Sequence, residues 1–187
     1  MKNATQNTKF VRRLVLTGFV AAVYFVITLL AYHMSYVGVQ FRIAEVLNLL
    51  VFVNPAFAPG VVLGVLLSNI ISPIPFDWLI GTASTGLAVV FIVGTRKILG
   101  NAPRVGLLVS AIWPVIFSGI IVGLMLTFLT DFGLPFGFAD TEVYFVRFLA
   151  FTLSVMVGQF VVCVVIGVPL FCELMKNERL MKFLKEF

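Results

Sequence analysis

The chain alternates long uncharged runs with short polar breaks, and the runs have the length of membrane crossings. Lys9, Arg12 and Arg13 precede an uncharged run from Leu14 to Tyr32, about the 20 residues that span a hydrocarbon core. After a mixed segment, His33 to Phe41, comes an apolar stretch from Ile43 to Ile71 with one charge, Glu45. As a single helix it would run about 43 Å at about 1.5 Å per residue, against a core about 30 Å thick. Asn54-Pro55 and Pro59-Gly60 interrupt it, and proline removes a donor and restricts the residue before it. The stretch therefore predicts a short helix over 43–53 and a longer one over about 57–72. The remaining runs predict helices over about 78–95, 106–130 and 144–172. With the first, over about 10–32, they make an all-α integral membrane protein of six transmembrane helices. The whole of 1–187 reads as a single membrane domain with a short second helix.

Charge placement supports the split. Cytoplasmic loops carry an excess of Lys and Arg, and Arg96, Lys97 and Arg104 form one basic loop. With the N-terminus inside, an unsplit stretch would put that loop outside, and the split puts it inside. The loop carrying Asp131, Asp140 and Glu142 has no Lys or Arg, and the tail has Lys176, Arg179, Lys182 and Lys185. Both termini are then expected in the cytoplasm of a multi-pass plasma-membrane protein, with Arg42 and Arg147 the only basic residues outside. The tail over 173–187 mixes Leu174, Met175, Leu180, Met181, Phe183, Leu184 and Phe187 with basic residues. It reads as an amphipathic interfacial helix that either anchors the chain or docks a partner.

Composition agrees. Hydrophobic residues make up 61% of the 187, charged residues only 11%, and mean hydropathy is +1.13. Soluble domains carry about a quarter charged residues, so lipid must cover much of this surface. The net charge of +5 follows from the loop bias and gives no reason to expect nucleic acid. Cys163 and Cys172 lie in an apolar stretch and read as packing residues, not a disulfide framework.

Polar groups at membrane depth are costly and mark function by default. The densest group is Gln40, Arg42, Glu45 and Asn48, at the outer start of the short helix. Glu45 and Asn48 are three apart and share a face, with Arg42 one turn earlier. Either Arg42 and Glu45 merely pair to cap the helix, or the stripe that Asn48 continues inward is a binding site. Asn69, Asp77 with Trp78, Trp113 and Gln159 are further candidates. Asp77 either N-caps its helix or joins the site; Trp113 suits an interfacial anchor; mid-span Gln159 needs a ligand or another helix as its partner. Gly18 and Ala22, Gly60 and Gly64, and Gly119 and Gly123 are small pairs that let helices approach closely. Gly18, Ala21 and Ala22 lie in the cytoplasmic half of the first helix, where a partner could dock.

Enzymatic chemistry finds little material. His33 is the one histidine, no HExxH or CxxC spacing occurs, and no Gly-rich phosphate loop is present. No metal and no cofactor are expected, and any ATP hydrolysis belongs to partner subunits.

The segment Val39-Gln40-Phe41-Arg42-Ile43-Ala44-Glu45-Val46-Leu47 resembles a family signature of the form QFRISEAL. Pro59-Gly60 with Gly64 and Asn69 continue it, as do Asp77 with Gly81-Thr82 and Thr85. Trp113-Pro114-Val115, Val122-Gly123, Gly158 and Gly167-Val168-Pro169 extend it. In these residues the chain resembles the queuosine-precursor transporter (QueT) group of S components of energy-coupling factor (ECF) importers. The resemblance covers about 15–172, and the QFR-x-x-E segment is its specific part. It implies an S-component-like bundle that captures a 7-deazaguanine base outside the cell. It further implies a membrane coupling protein and two ATPase subunits as partners, with Gly18-x-x-x-Ala22 in the region where small residues meet the coupling protein. It makes Gln40, Phe41, Arg42, Glu45, Asn48, Asn69, Asp77, Trp78 and Gln159 the expected substrate-binding residues. A carboxylate such as Glu45 suits the two adjacent N–H donors of a guanine-like edge, amides suit its other atoms, and Phe41, Tyr36 or Trp78 could stack on its face. The alternatives are an S component for another vitamin, a self-sufficient small transporter and, least supported by the residues present, a membrane-embedded enzyme.

Overall fold

The computed structural model describes residues 2–36, 41–132 and 141–185. Gln40 and Asp140 lie outside the described residues, as do the side chains of Tyr36, Asp131 and Glu142. Every regular element among the described residues is helical: α1 (Lys2–Leu30), α2 (Tyr32–Tyr36), a 3-10 turn (Ile43–Leu47) leading into α3 (Asn48–Val53), a second 3-10 turn (Pro55–Phe57) leading into α4 (Ala58–Ile70), α5 (Asp77–Leu99), α6 (Pro103–Phe132), α7 (Thr141–Gln159), a π-helical stretch (Phe160–Gly167), α8 (Val168–Leu174) and α9 (Glu178–Lys185).

Four segments are long and apolar enough to cross a membrane: Phe10–Leu30, Asp77–Leu99, Pro103–Thr130 and Val143–Leu174. Two further apolar helices, Ile43–Val53 and Pro55–Ile70, are shorter. Length and composition thus give four clear crossings where the sequence suggested six. The outer faces carry large apolar side chains, among them Leu14, Val15, Phe19, Val90, Phe145, Val146 and Leu153, as a lipid-facing surface requires. The chain is a multi-pass membrane protein.

The break between α3 and α4 follows from Asn54-Pro55. Asn54 is extended, with φ −152 and ψ 118, the conformation favoured before proline. Its Oδ1 accepts from the Ala56 amide at 3.0 Å. Proline fits the first turn of a helix, which is where Pro59 stands in α4. Pro114 sits inside α6 without ending it.

The short helix α3 is the centre of the bundle. Asn48, Leu49, Val51, Phe52 and Val53 are all buried, and α3 touches both α5 and α6. A helix of this length cannot span lipid, so its burial among longer neighbours is what keeps its peptide groups away from hydrocarbon. At its C-terminal end, Arg96 Nη1 donates to the carbonyls of Phe52 and Val53. These are among the last carbonyls of α3, which have no partner within the helix.

Glycines set two of the helix crossings. A methyl group added at Gly64 would fall 2.6 Å from Tyr24 Cβ, and one at Gly60 would fall 2.9 Å from the Thr17 carbonyl, so α1 and α4 meet at backbone distance. Gly119 and Gly123 do the same for α6 against Met156 and Thr152 of α7. Gly18 differs: nothing lies within 4 Å of a methyl built there.

The tail is more than an interfacial float. Met181 and Leu184 of α9 pack against the core, and Asn54 Nδ2 donates to the Leu184 carbonyl at 2.9 Å. Phe183, Glu178, Arg179 and Lys182 stay exposed.

Candidate functional site

The 3-10 turn and α3 bring Arg42, Glu45 and Asn48 to one side, where α5 supplies Asp77 and Thr85 and α1 supplies Tyr24. Along α5 the buried positions Asp77, Gly81, Thr85, Ala88 and Ile92 recur every three or four residues, the spacing of a single helix face.

Arg42 and Asp77 form the outer part of the site. Arg42 Nη2 donates to Asp77 Oδ1 at 2.9 Å and to Oδ2 at 2.8 Å, and both side chains are buried. Asp77 therefore does not cap its helix. That position belongs to Phe76, whose φ of 64 puts a bulky residue in the left-handed region. The reversal at Phe76 aims Asp77 inward while Trp78, 49% exposed, faces out. Gly81 gives the carboxylate room, since a methyl there would collide with Asp77 Oδ1 and fall 2.9 Å from Asn69 Nδ2. Asn69 in turn donates to Thr82 Oγ1 at 3.2 Å.

Glu45 forms the inner part. Its side chain is wholly buried, beside the Arg42 guanidinium that bonds Asp77. Glu45 Oε2 accepts from Asn48 Nδ2, and Oε1 accepts from Thr85 Oγ1 at 3.1 Å. Thr85 is eight residues along α5 from Asp77, about 12 Å at 1.5 Å per residue, so Glu45 sits about two helical turns from the Arg42–Asp77 pair. Arg42 stands at the N-cap of the 3-10 turn without a side-chain capping bond.

Gln159 enters from the last residue of α7. Cys163, one turn on in the π-helical stretch, lies with its Sγ 3.6 Å from Gln159 Oε1 and 3.8 Å from the Glu45 carbonyl, tying both to one cluster. Two amide atoms there, Asn48 Oδ1 and Gln159 Nε2, are buried with no hydrogen-bond partner among the described residues. Buried polar atoms are nearly always satisfied. One orphan acceptor and one orphan donor thus lie in the same cluster as the buried carboxylate.

Of the other expected residues, Phe41 is half-buried and packs against the core. Trp113 donates to Thr95 Oγ1 at 2.9 Å and packs against Phe91 and Phe117, so it ties α6 to α5. His33 is exposed. Ala21 is buried in the bundle, while Gly18 and Ala22 are exposed. Tyr24 and Cys163 were not foreseen as site residues, and Thr85 was seen only as part of a motif. Tyr24 carries a signal in hindsight: it is the one phenol in the interior of the first apolar run. An open groove of about 730 Å³ lies at the opposite end of the bundle, lined by Arg104, Cys172, Met175 and Lys182 among others, and the polar cluster contributes nothing to it.

No curated protein and no solved structure matches the chain. A family model does, that of the QueT transporter, over residues 14–176. With most of its length inside that match, and with apolar helices to cross the bilayer, the chain belongs to the QueT transporter family.

Proposed function

We propose that the protein is the substrate-binding subunit of an ECF-type importer and captures a queuosine precursor, a 7-deazaguanine base, from outside the cell. The observation that carries this reading is the buried Glu45 carboxylate flanked by the unpartnered Asn48 Oδ1 and Gln159 Nε2. A guanine-like edge offers two adjacent N–H donors and a carbonyl acceptor. Glu45 takes the two donors, Gln159 Nε2 donates to the carbonyl, and Asn48 Oδ1 accepts a remaining N–H. Arg42 and Asp77, with Asn69 behind them, hold the outer end of the site, and Gln40, Phe41 and Trp78 belong to the approach from outside.

In this reading all six apolar helices embed in the plasma membrane with both termini in the cytoplasm, following the Lys and Arg distribution. The chain has no nucleotide-binding loop of its own, so a coupling protein and two ATPase subunits energise it, and the coupling protein docks on the exposed α1 face at Gly18 and Ala22, Ala21 being turned into the bundle.

The test is a binding titration of the purified subunit with the 7-cyano and 7-aminomethyl bases and with queuine, alongside uptake in cells with and without the ATPase subunits. Binding of at least one base, with uptake that needs the ATPases, is the expected result. No binding of any of the three, or full uptake without the ATPases, overturns it.

A further inference from the structure

Away from the polar cluster, the groove of about 730 Å³ lies where two membrane crossings end. The crossing Pro103–Thr130 begins with Pro103 and Arg104 in its wall, and the crossing Val143–Leu174 reaches it at Cys172 and Glu173. That level is the headgroup zone of a bilayer, at the edge of the hydrocarbon core. Five charged residues line the groove: Arg104, Lys176, Lys182, Glu173 and Glu178. Lys176 is bonded to Glu173 at 2.6 Å, and the two cancel. Arg104, Lys182 and Glu178 have no bonded partner among the described residues, which leaves the lining an excess of one positive charge. Apolar side chains continue from this level into the membrane. On α6, Leu108 and Ile112 follow Arg104 at intervals of one turn, and Leu170 and Ile166 precede Glu173 in the same way. All four are exposed, and α6 packs against both α8 and the π-helical stretch, so the two tracks belong to neighbouring helices.

We propose that the groove holds the headgroup of an anionic phospholipid of the phosphatidylglycerol type. Its one phosphate charge matches the excess of one, with Arg104 and Lys182 donating to the phosphate oxygens. Its glycerol hydroxyls give Glu178 donors that a choline headgroup lacks. Its acyl chains lie along the exposed apolar tracks, of which a soluble phosphate makes no use. The lipid bridges the first turn of α6 to α9, and in the orientation proposed above it belongs to the cytoplasmic leaflet.

The test is a titration of the purified full chain in detergent with phosphatidylglycerol, phosphatidylcholine and inorganic phosphate, read by native mass spectrometry and by thermal melting. Phosphatidylglycerol should bind about tenfold more tightly than phosphatidylcholine, and phosphate at the same concentration should not displace it. Arg104→Gln with Lys182→Gln should remove that preference and leave the lipid-free melt unchanged. Arg104→Lys with Lys182→Arg should keep it, as should Lys97→Gln with Arg179→Gln, which removes two exposed cations that do not line the groove. A phosphatidylglycerol photoreactive in its headgroup should label residues 103–108 and 172–182 of the unaltered chain. Equal binding of the two lipids, equal loss in both glutamine variants, labelling confined to other segments, or displacement by phosphate alone would each overturn the proposal. The last would make the groove a site for a soluble anion. None of these outcomes bears on the substrate assigned to the Glu45 cluster.

Discussion

Arg42 and Asp77, thirty-five residues apart, are bonded through one guanidinium nitrogen to both carboxylate oxygens. The pair joins the segment before α3 to the first residue of α5, and both side chains are buried. Breaking a buried pair strands a charge and costs about 3–5 kcal/mol. Asp77→Ala should lower thermal stability by about that much, measured in detergent without ligand. Arg42→Met with Asp77→Leu should recover most of the loss. A single variant as stable as wild type would show the pair to be incidental.

The carboxylate of Asp77 depends on the missing side chain of Gly81. Gly81→Ala would drive a methyl into Asp77 Oδ1 and against Asn69, and overpacking of this kind costs about 1–3 kcal/mol. Gly86 lies on the same helix with nothing within 4 Å of a built methyl. Gly86→Ala should be neutral or slightly stabilising, since alanine favours the helix. Equal melting temperatures for the two variants would contradict the crowding at Gly81.

Glu45→Gln should weaken capture of the 7-deazaguanine base at least tenfold. The amide offers one acceptor oxygen where two adjacent donors call for a carboxylate, and charge-assisted bonds contribute about 1.5–3 kcal/mol each. The folded state should survive, because glutamine still accepts from Thr85. Calorimetric titration beside a thermal melt reads the two effects separately, and unchanged affinity would make Glu45 a structural residue.

At the other end of α3, Arg96 holds the Phe52 and Val53 carbonyls. Arg96→Met should cost about 1–2 kcal/mol, below the value for a fully buried charged bond because the side chain is partly exposed. Hydrogen exchange should rise over residues 52–57, whereas Lys97→Met, at an exposed neighbour, should change neither quantity. Protection unchanged in Arg96→Met would show that α3 does not need the clamp.

Gly18 and Ala22 present a bare patch of α1. The double variant Gly18→Leu with Ala22→Leu should bind ligand normally as an isolated subunit yet fail to assemble with the coupling protein, read by co-purification and uptake. Loss of ligand binding in the isolated subunit would put these residues inside the bundle's own packing, and normal uptake would move the docking surface elsewhere.

Much of this architecture is visible in the residue order. Asn54-Pro55 forecast the end of α3 because proline acts locally, and Glu45 and Asn48 shared a face because their spacing is helical. The partner of Arg42 was not legible. Glu45 was the nearer carboxylate in sequence, and only the reversal at Phe76 brings Asp77 to the guanidinium. Gly60 and Gly64 were expected to pack, but their opposite number, Tyr24 on α1, depends on how α1 crosses α4. Trp113 suited a lipid boundary by type and instead bonds Thr95 across a helix interface, because threonine at that position had no other reason to attract notice.

The π-helical stretch has a consequence for how the chain tolerates changes of length. Gln159, Cys163, Gly167 and Phe171 are four apart and all buried. An α-helix would carry that series about 40° round the axis at each step, while the wider turn keeps it in line. Losing one residue between 160 and 166 would let the stretch relax to an ordinary helix with its far end pointing much as before. The same loss from the regular turns of α7, with the wide stretch kept, would rotate everything beyond it by about 100°, taking Phe171 out of the core and the Leu184 carbonyl away from Asn54. The wide stretch is a spare link, able to give up a residue that its regular neighbours cannot.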